Sequence, residues 1–310
     1  MGKATREAYG NALARIGKEN TNIIVLDADL SKSTKTDTFK AVCPERFFNV
    51  GIAEQNLISV GAGLAAAGKI PFVSSFSMFA TGRAFEQIRN AVCYPKLNVK
   101  VCATHAGITV GEDGATHQSL EDISCMRTLP NMTVVVPADE RETEAVIEWA
   151  ASYNGPVYVR LGRAGVDDVT TEGYSFVPGK STILVDGSDA TIIACGALVG
   201  PAVEASKTLS KSNISARVIN MASIKPIDAE AIIKAAAETG AIVTAEEHNI
   251  IGGLGSAVSE VVVSNKPVPM EFVGVQDTFG ESGTPKELMA KYGLTANDIV
   301  EAVKHVIARK

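Results

Sequence analysis

The sequence predicts an α/β protein made of two doubly wound, mostly parallel sheets. Three observations carry that prediction. Short apolar runs such as "NIIVL" and "TIIA" alternate with segments of helical periodicity, as buried parallel strands and their crossover helices do. The connections between them are mostly short and polar. One turn-rich, polar stretch divides the chain into residues 1–165, a linker 166–188, and residues 189–310.

The elements follow in order. "MGKATREAYGNALARIGKEN" is a charged amphipathic helix, and "NIIVLDADL" a buried strand ending in acids. "RFFNVG" is a second strand, and Glu54 then opens a helix through Ala67. "KIPFVSSFS" is a third strand; "TGRAFEQIRNAVCYP" carries Phe85, Ile88 and Val92 at helical spacing. "NVKVCATHAGITVGEDGATHQ" is a strand opening into a long Gly/Thr/His loop. In "SLEDISCMRTL", Ser119 and Asp122 have the spacing of a capping box. "MTVVVPAD", a helix from Glu142 to Ser152, and "PVYVRLGR" complete the first unit. The linker reads as hairpin-like. The second unit alternates "DATIIACG", "PAVEASKTLSKS", "ISARVINMAS", "DAEAIIKAAAETG" and "AIVTAEEH". It ends with the tight turn "IGGLG", a helix from Ser256, the strand "PMEFVGVQ" and a helix around Asn297–Ala308.

Composition narrows the function. A formal charge of −6 leaves no basic footprint for nucleic acid. The five cysteines are scattered, odd in number and without a CxxC pair, which points to reduced thiols in a cytoplasmic protein. No run of about 18 apolar residues marks a membrane span, and no signal-peptide core precedes the first helix. GxGxxG after a strand, GxxxxGK[ST] and GxSxG are absent.

In parallel sheets, ligands meet the loops at the carboxyl ends of strands. The polar candidates fall on such loops: Asp29 and Ser33 after the first strand, Glu54 after the second, Phe76 and Phe79 after the third. His105, Asp113 and His117 follow the fourth, and Arg163 the sixth. Glu54 sits in the apolar run "VGIAEQNLISVGAGLAAAG", where an unpaired carboxylate costs several kcal/mol. It is a helix-start carboxylate beside the helix dipole, or it is there to meet a ligand. The loop "THAGITVGEDGATHQ" holds two of the four histidines, and loops of this length are mostly functional. Its spacing matches no compact metal motif, so no metal ligands are assigned.

Taken together, "GIAEQN", "SSFSMF", "RAFEQIR" and "GEDGATHQ" resemble the pyrimidine-binding domain of transketolase. "IKPID" and "TAEEHNIIGGLGSAVSE" resemble that enzyme's C-terminal domain. The resemblance runs end to end and implies the C-terminal subunit of a split transketolase. The GDG…N signature of the diphosphate-binding domain is not in this sequence. On that expectation, a separate N-terminal subunit binds the diphosphate and Mg²⁺ or Ca²⁺, and thiamine diphosphate is shared between the chains. A homodimer core within an α2β2 assembly is implied as well.

The resemblance also implies roles. Glu54 hydrogen-bonds N1′ of the aminopyrimidine and promotes loss of the thiazolium C2 proton, for which a site shielded from water is suited. Phe76 and Phe79 stack on the pyrimidine; Gly82 lies where bacterial relatives carry a further tyrosine. His117 lies beside the cofactor's amino group, and Asp29 near the cofactor at the subunit boundary. Arg6, Ser33, His105 and Arg163 grip a sugar phosphate, a task that guanidinium forks, an imidazole and a hydroxyl suit. Asp113 reads the acceptor's C2 hydroxyl. Three other readings stay open: a 1-deoxyxylulose-5-phosphate synthase-like fragment, the beta subunit of a 2-oxoacid dehydrogenase decarboxylase, and a non-catalytic relative that binds a partner.

Overall fold

The computed structural model describes residues 2–310. Two sheets organise the chain. The first has seven strands in the order β10-β5-β6-β4-β3-β1-β2. These are β1 (Ile23–Asp27), β2 (Phe47–Asn49), β3 (Ile70–Ser74), β4 (Lys100–Ala103), β5 (Thr133–Val135), β6 (Val157–Arg160) and β10 (Ser223–Lys225). The second has five, β12-β11-β8-β9-β7, namely β7 (Thr182–Val185), β8 (Ala190–Ala194), β9 (Ala216–Asn220), β11 (Ile242–Asn249) and β12 (Met270–Val275). Pairing is parallel except at two edges, where β10 runs against β5 and β7 against β9. The α/β, mostly parallel, two-sheet architecture expected from the pattern is therefore present.

Burial explains the layering. β1, β4, β6, β8 and β9 are buried at every position, so their apolar runs need cover on both faces. One outer face of the first sheet is covered by the helices Thr5–Glu19 and Glu140–Ser152, through Tyr9, Leu13, Val146 and Ile147. The outer face of the second is covered by Val199–Ser210 and Ala296–Ile307. Between the sheets, Leu57, Ile58, Ile88, Ile123, Ile232 and Val258 share one core with Leu26 of β1 and Ile242 of β11. The two units are thus joined by a continuous apolar layer.

Several local expectations change. The stretch "ISARVINMAS" is a strand only over β9, in the second sheet; its last residue, Ser223, opens β10, which crosses to pair with β5 of the first. The stretch read as a hairpin-like linker supplies β7, whose partner is the distant β9. The capping box at Ser119 does not form. The helix starts at Asp122 with Glu121 before it and no side-chain cap; Ser119 instead bridges Ala106. "TGRAFEQIRNAVCYP" is not a plain α-helix but two π-helical stretches, Met78–Arg83 and Ile88–Cys93, around the turn Phe85–Gln87. A helix absent from the sequence reading, Pro285–Lys291, starts in a Thr284/Glu287 capping box. "IGGLG" forms the expected tight packing: Leu254 and Gly255 amides donate to Glu246, at 2.7 and 2.8 Å. Among the described residues, no helix is long and apolar enough to cross a membrane.

Candidate active site

In the first sheet the chain goes from β1 to β2 on one side and then to β3 on the other. That reversal opens a crevice at the carboxyl ends of β1 and β3, the usual ligand position in such sheets. Two residues beside it have left-handed backbones unusual for non-glycines: Asp29 after β1 (φ 65°) and His105 after β4 (φ 56°).

Glu54 is the first residue of the helix Glu54–Ala66 and only 2% exposed. Its Oε2 accepts from Arg83 Nη1 at 2.8 Å, so the acid in the apolar run is neutralised by a cation from 29 residues away. A cleft of about 470 Å³ lies against it, lined by Ile52, Ala53, Glu54, Gln55, Asn56 and Arg83. The Arg83 guanidinium also lies 5.0 Å from the Phe79 ring centroid. Arg83 and Phe79 share the first π-helical stretch.

From Phe79 the contacts continue as a line of rings. His117 meets Phe79 edge-on at 5.2 Å and Phe76 at 6.2 Å. Phe76 and Phe79 are stacked with centroids 5.9 Å apart, and Phe76 stacks on His105 at 3.8 Å. His105 Nε2 lies 3.4 Å from Arg6 Nη1, which also donates to the Ser33 carbonyl at 2.8 Å. An arginine can only donate, so Nε2 is the acceptor and Nδ1–H faces Thr104 Oγ1 at 2.8 Å. Burial, reinforced by the positive Arg6 and Arg163 and by His117, pushes His105 down to about 3. His105 is therefore a neutral ring. Among the described residues Arg6 Nε is buried without a partner, a donor left over for an anion.

The loop after β4 is closed at its base by the Ala106–Ser119 bridge and contains the turn Ile108–Asp113. Asp113 is exposed at the end of that turn. Arg163 donates to Glu112 at 2.8 Å and to the Val110 carbonyl, which fixes it against the same turn.

The structure thus gathers Glu54, through Arg83, with Phe79, His117, Phe76, His105, Arg6 and Ser33 into one contact line, with Asp113 on the adjoining turn and Arg163 bonded to that turn from beyond β6. Asp29 stands apart: its side chain accepts from Asn49 Nδ2 at 2.7 Å at the end of β2. The sequence reading missed three groups. Arg83 lay inside the quoted motif "RAFEQIR" without a role. Asp27, the first acid of "DADL", is fully buried and accepts from Leu30 N, Thr34 Oγ1 and Thr36 Oγ1 at 2.6, 2.7 and 2.9 Å. Burial raises its proton affinity against those bonds, and they hold the loop bearing Ser33. Beneath the rings, Ser77 Oγ, Tyr158 OH, Asp122 and Arg160 form a buried chain at 2.9, 2.6 and 2.8 Å; the signal was a charged residue inside the buried strand "VYVR".

The residues fit an aminopyrimidine. A water-excluded carboxylate opens onto a cleft, and an aromatic ring lies beside it. Among the described residues no cluster of three His, Cys, Asp or Glu side chains suits a metal ion.

Comparison with known proteins gives the chain's family. Residues 1–167 match the transketolase pyrimidine binding domain and residues 179–299 the transketolase C-terminal domain. The chain belongs to the transketolase family. It is 52% identical over 304 residues to a chain of Methanocaldococcus jannaschii provisionally named a transketolase C-terminal section, covering 97% of this chain and 95% of that one. It is 43% identical to the 6-deoxy-6-sulfo-D-fructose transketolase subunit of a Clostridium species, covering 98% and 95%. A solved structure described as a split gene transketolase, inactive beta4 tetramer, superposes with TM-score 0.93 at 58% identity, covering 99% of both chains.

Proposed function

We propose that this chain is the C-terminal subunit of a cytoplasmic, thiamine-diphosphate-dependent transketolase that moves a two-carbon ketol unit between sugar phosphates. A separate N-terminal subunit supplies the diphosphate and Mg²⁺ or Ca²⁺ ligands. The observation that carries the reading is the line of contacts from an acidic end at Glu54, through the rings and the neutral His105, to a cationic end at Arg6, with Arg163 on the adjoining turn's edge. Such a site is polarised for a cofactor ring at one end and an anionic sugar at the other.

Thiamine diphosphate, when bound, would supply the carbon nucleophile for ketol transfer. Glu54 holds a proton at the pyrimidine N1′, and Arg83, which occupies that carboxylate here, must yield as the ring enters. Phe79 and Phe76 offer flat faces to the pyrimidine. The edge-packed His117 stands beside its amino group. Asp29 lies at the boundary with the partner. At the far end, Arg6, Arg163 and the Ser33 hydroxyl bind the phosphate. His105, held neutral, orients the sugar without adding charge, and Asp113 reads the acceptor's C2 hydroxyl.

The surface around Glu54 supports a cofactor site between chains. Phe48 and Ile52 are 46% and 77% exposed, an apolar rim suited to burial by another chain. The named inactive beta4 state of the split-gene relative further supports a homo-oligomeric core that acts only in an α2β2 complex. The isolated chain is expected to show no ketol transfer. Adding the N-terminal subunit, thiamine diphosphate and Mg²⁺ restores transfer from xylulose 5-phosphate to an aldose phosphate. Robust turnover by the isolated chain refutes the split-subunit reading.

A further inference from the structure

We propose that Glu247, in the C-terminal unit, is a positioning residue that sets the substrate-reading turn Ile108–Asp113 of the N-terminal unit, and hence selectivity for the acceptor sugar. The inference rests on the functional reading above. Glu247 lies on β11, is 3% exposed, and its Oε1 accepts from the Thr109 backbone N–H at 2.6 Å. Thr109 is the second residue of the turn that ends in Asp113 and carries Glu112, the partner of Arg163.

The approach is built for this contact. Gly107 has φ 84°, and a Cβ there would collide with Glu247 Oε1, so glycine at 107 serves both the backbone and the carboxylate. The strand carrying Glu247 is anchored on the first unit, at β6 and just past the same loop. Its own carbonyl accepts from Arg160 Nη2 at 2.8 Å, and Asn249 N donates to the Leu120 carbonyl at 2.8 Å. On the far side of the turn, Gln118 Nε2 donates to the Ile108 and Gly111 carbonyls at 3.3 and 3.2 Å, and to the backbone carbonyl of Glu281 in the C-terminal unit at 2.9 Å. The substrate-facing turn is therefore seated on the second unit. Glu54 is on a different loop and is not held by this carboxylate.

Two substitutions separate positioning from a mere charge role beside Arg160. Glu247→Gln keeps an acceptor at full reach and loses the charge. Glu247→Asp keeps the charge and falls one methylene short of Thr109. Amide exchange of residues 108–113 in the intact chain is expected to speed up about ten-fold in the Asp variant, as a lost buried hydrogen bond requires. The Gln variant stays near wild type. In the reconstituted complex the Asp variant raises the acceptor KM about ten-fold while C2 proton exchange of the cofactor is unchanged. The reverse ranking, or wild-type exchange in the Asp variant, overturns the proposal. Faster exchange in the Asp variant when the wild-type complex lacks ketol transfer retains the structural role and rejects the transketolase reading instead. Faster exchange with an unchanged acceptor KM rejects the selectivity role.

Discussion

The Glu54 carboxylate, 2% exposed, is bound at 2.8 Å by Arg83, whose guanidinium also faces the Phe79 ring at 5.0 Å. An acid that would be costly alone is stabilised by a cation that is itself half exposed. The arrangement holds the carboxylate at the edge of the cleft, with a counter-ion that already stands half in solvent.

Glu54→Gln preserves size and removes the proton-accepting charge. In the reconstituted complex, hydrogen–deuterium exchange at the cofactor's C2 should fall at least ~100-fold, the usual scale for a lost general acid–base. Assembly, followed by light scattering, should be unchanged. Normal exchange would remove Glu54 from the mechanism.

Arg83→Leu strands Glu54 without a cation. Breaking a fully buried pair costs ~3–5 kcal/mol, but solvent already screens the half-exposed Arg83, so a loss of about 1–2 kcal/mol is expected. Urea denaturation measures it; a midpoint equal to wild type would mean the pair contributes nothing.

His105 gives stability a pH dependence with a definite sign. It is held near 3 in the folded chain, against an ordinary 6.5. Between those values the unfolded state binds the extra proton, so the neutral ring's contribution is intact above about pH 6.5 and lost progressively down to about pH 3. At pH 5 the penalty is about 2 kcal/mol. His105→Gln should therefore lose less stability than wild type between pH 7 and 5. Asp27, Glu142 and Glu247, which burial shifts upward, act in the opposite direction but equally in both proteins. Parallel pH profiles would contradict a buried neutral imidazole.

Asp122→Ala should be the most damaging change in the buried chain from Ser77 to Arg160. Asp122 is fully buried and accepts from Arg160 at 2.8 Å and Tyr158 at 2.6 Å. Its removal leaves the 5%-exposed Arg160 without its carboxylate and should cost ~3–5 kcal/mol. Lys180→Ala, which breaks the fully exposed pair with Glu230, should leave the denaturation midpoint unmoved. Equal effects from the two would show that the buried pair has no special weight.

Much of the fold was legible because its signals are local. The buried strands β1 and β8 announce themselves as short, mostly apolar runs, and helices such as Glu140–Ser152 as 3.6-residue periodicity. The candidate residues were legible as polar groups just past strand ends, a position the parallel topology makes functional. Ser119 misled because a capping-box pattern needs only two residue types at the right spacing. The tertiary demand of Arg160 for Asp122 outweighed it. β10 was invisible as a separate strand, since three residues display no period.

By itself, then, the sequence determined two α/β units, the placement of Glu54 at a helix start, and a histidine-bearing loop on the ligand edge of the first sheet. Each follows from torsional preference and burial within a few neighbouring residues. Only the tertiary structure decided that Arg83 neutralises Glu54, that β10 completes the neighbouring unit's sheet, and that Glu247 supports the Asp113 turn across 138 residues of chain. Ion pairs and hydrogen bonds act over about 3 Å, and no local pattern records which distant groups the fold brings that close.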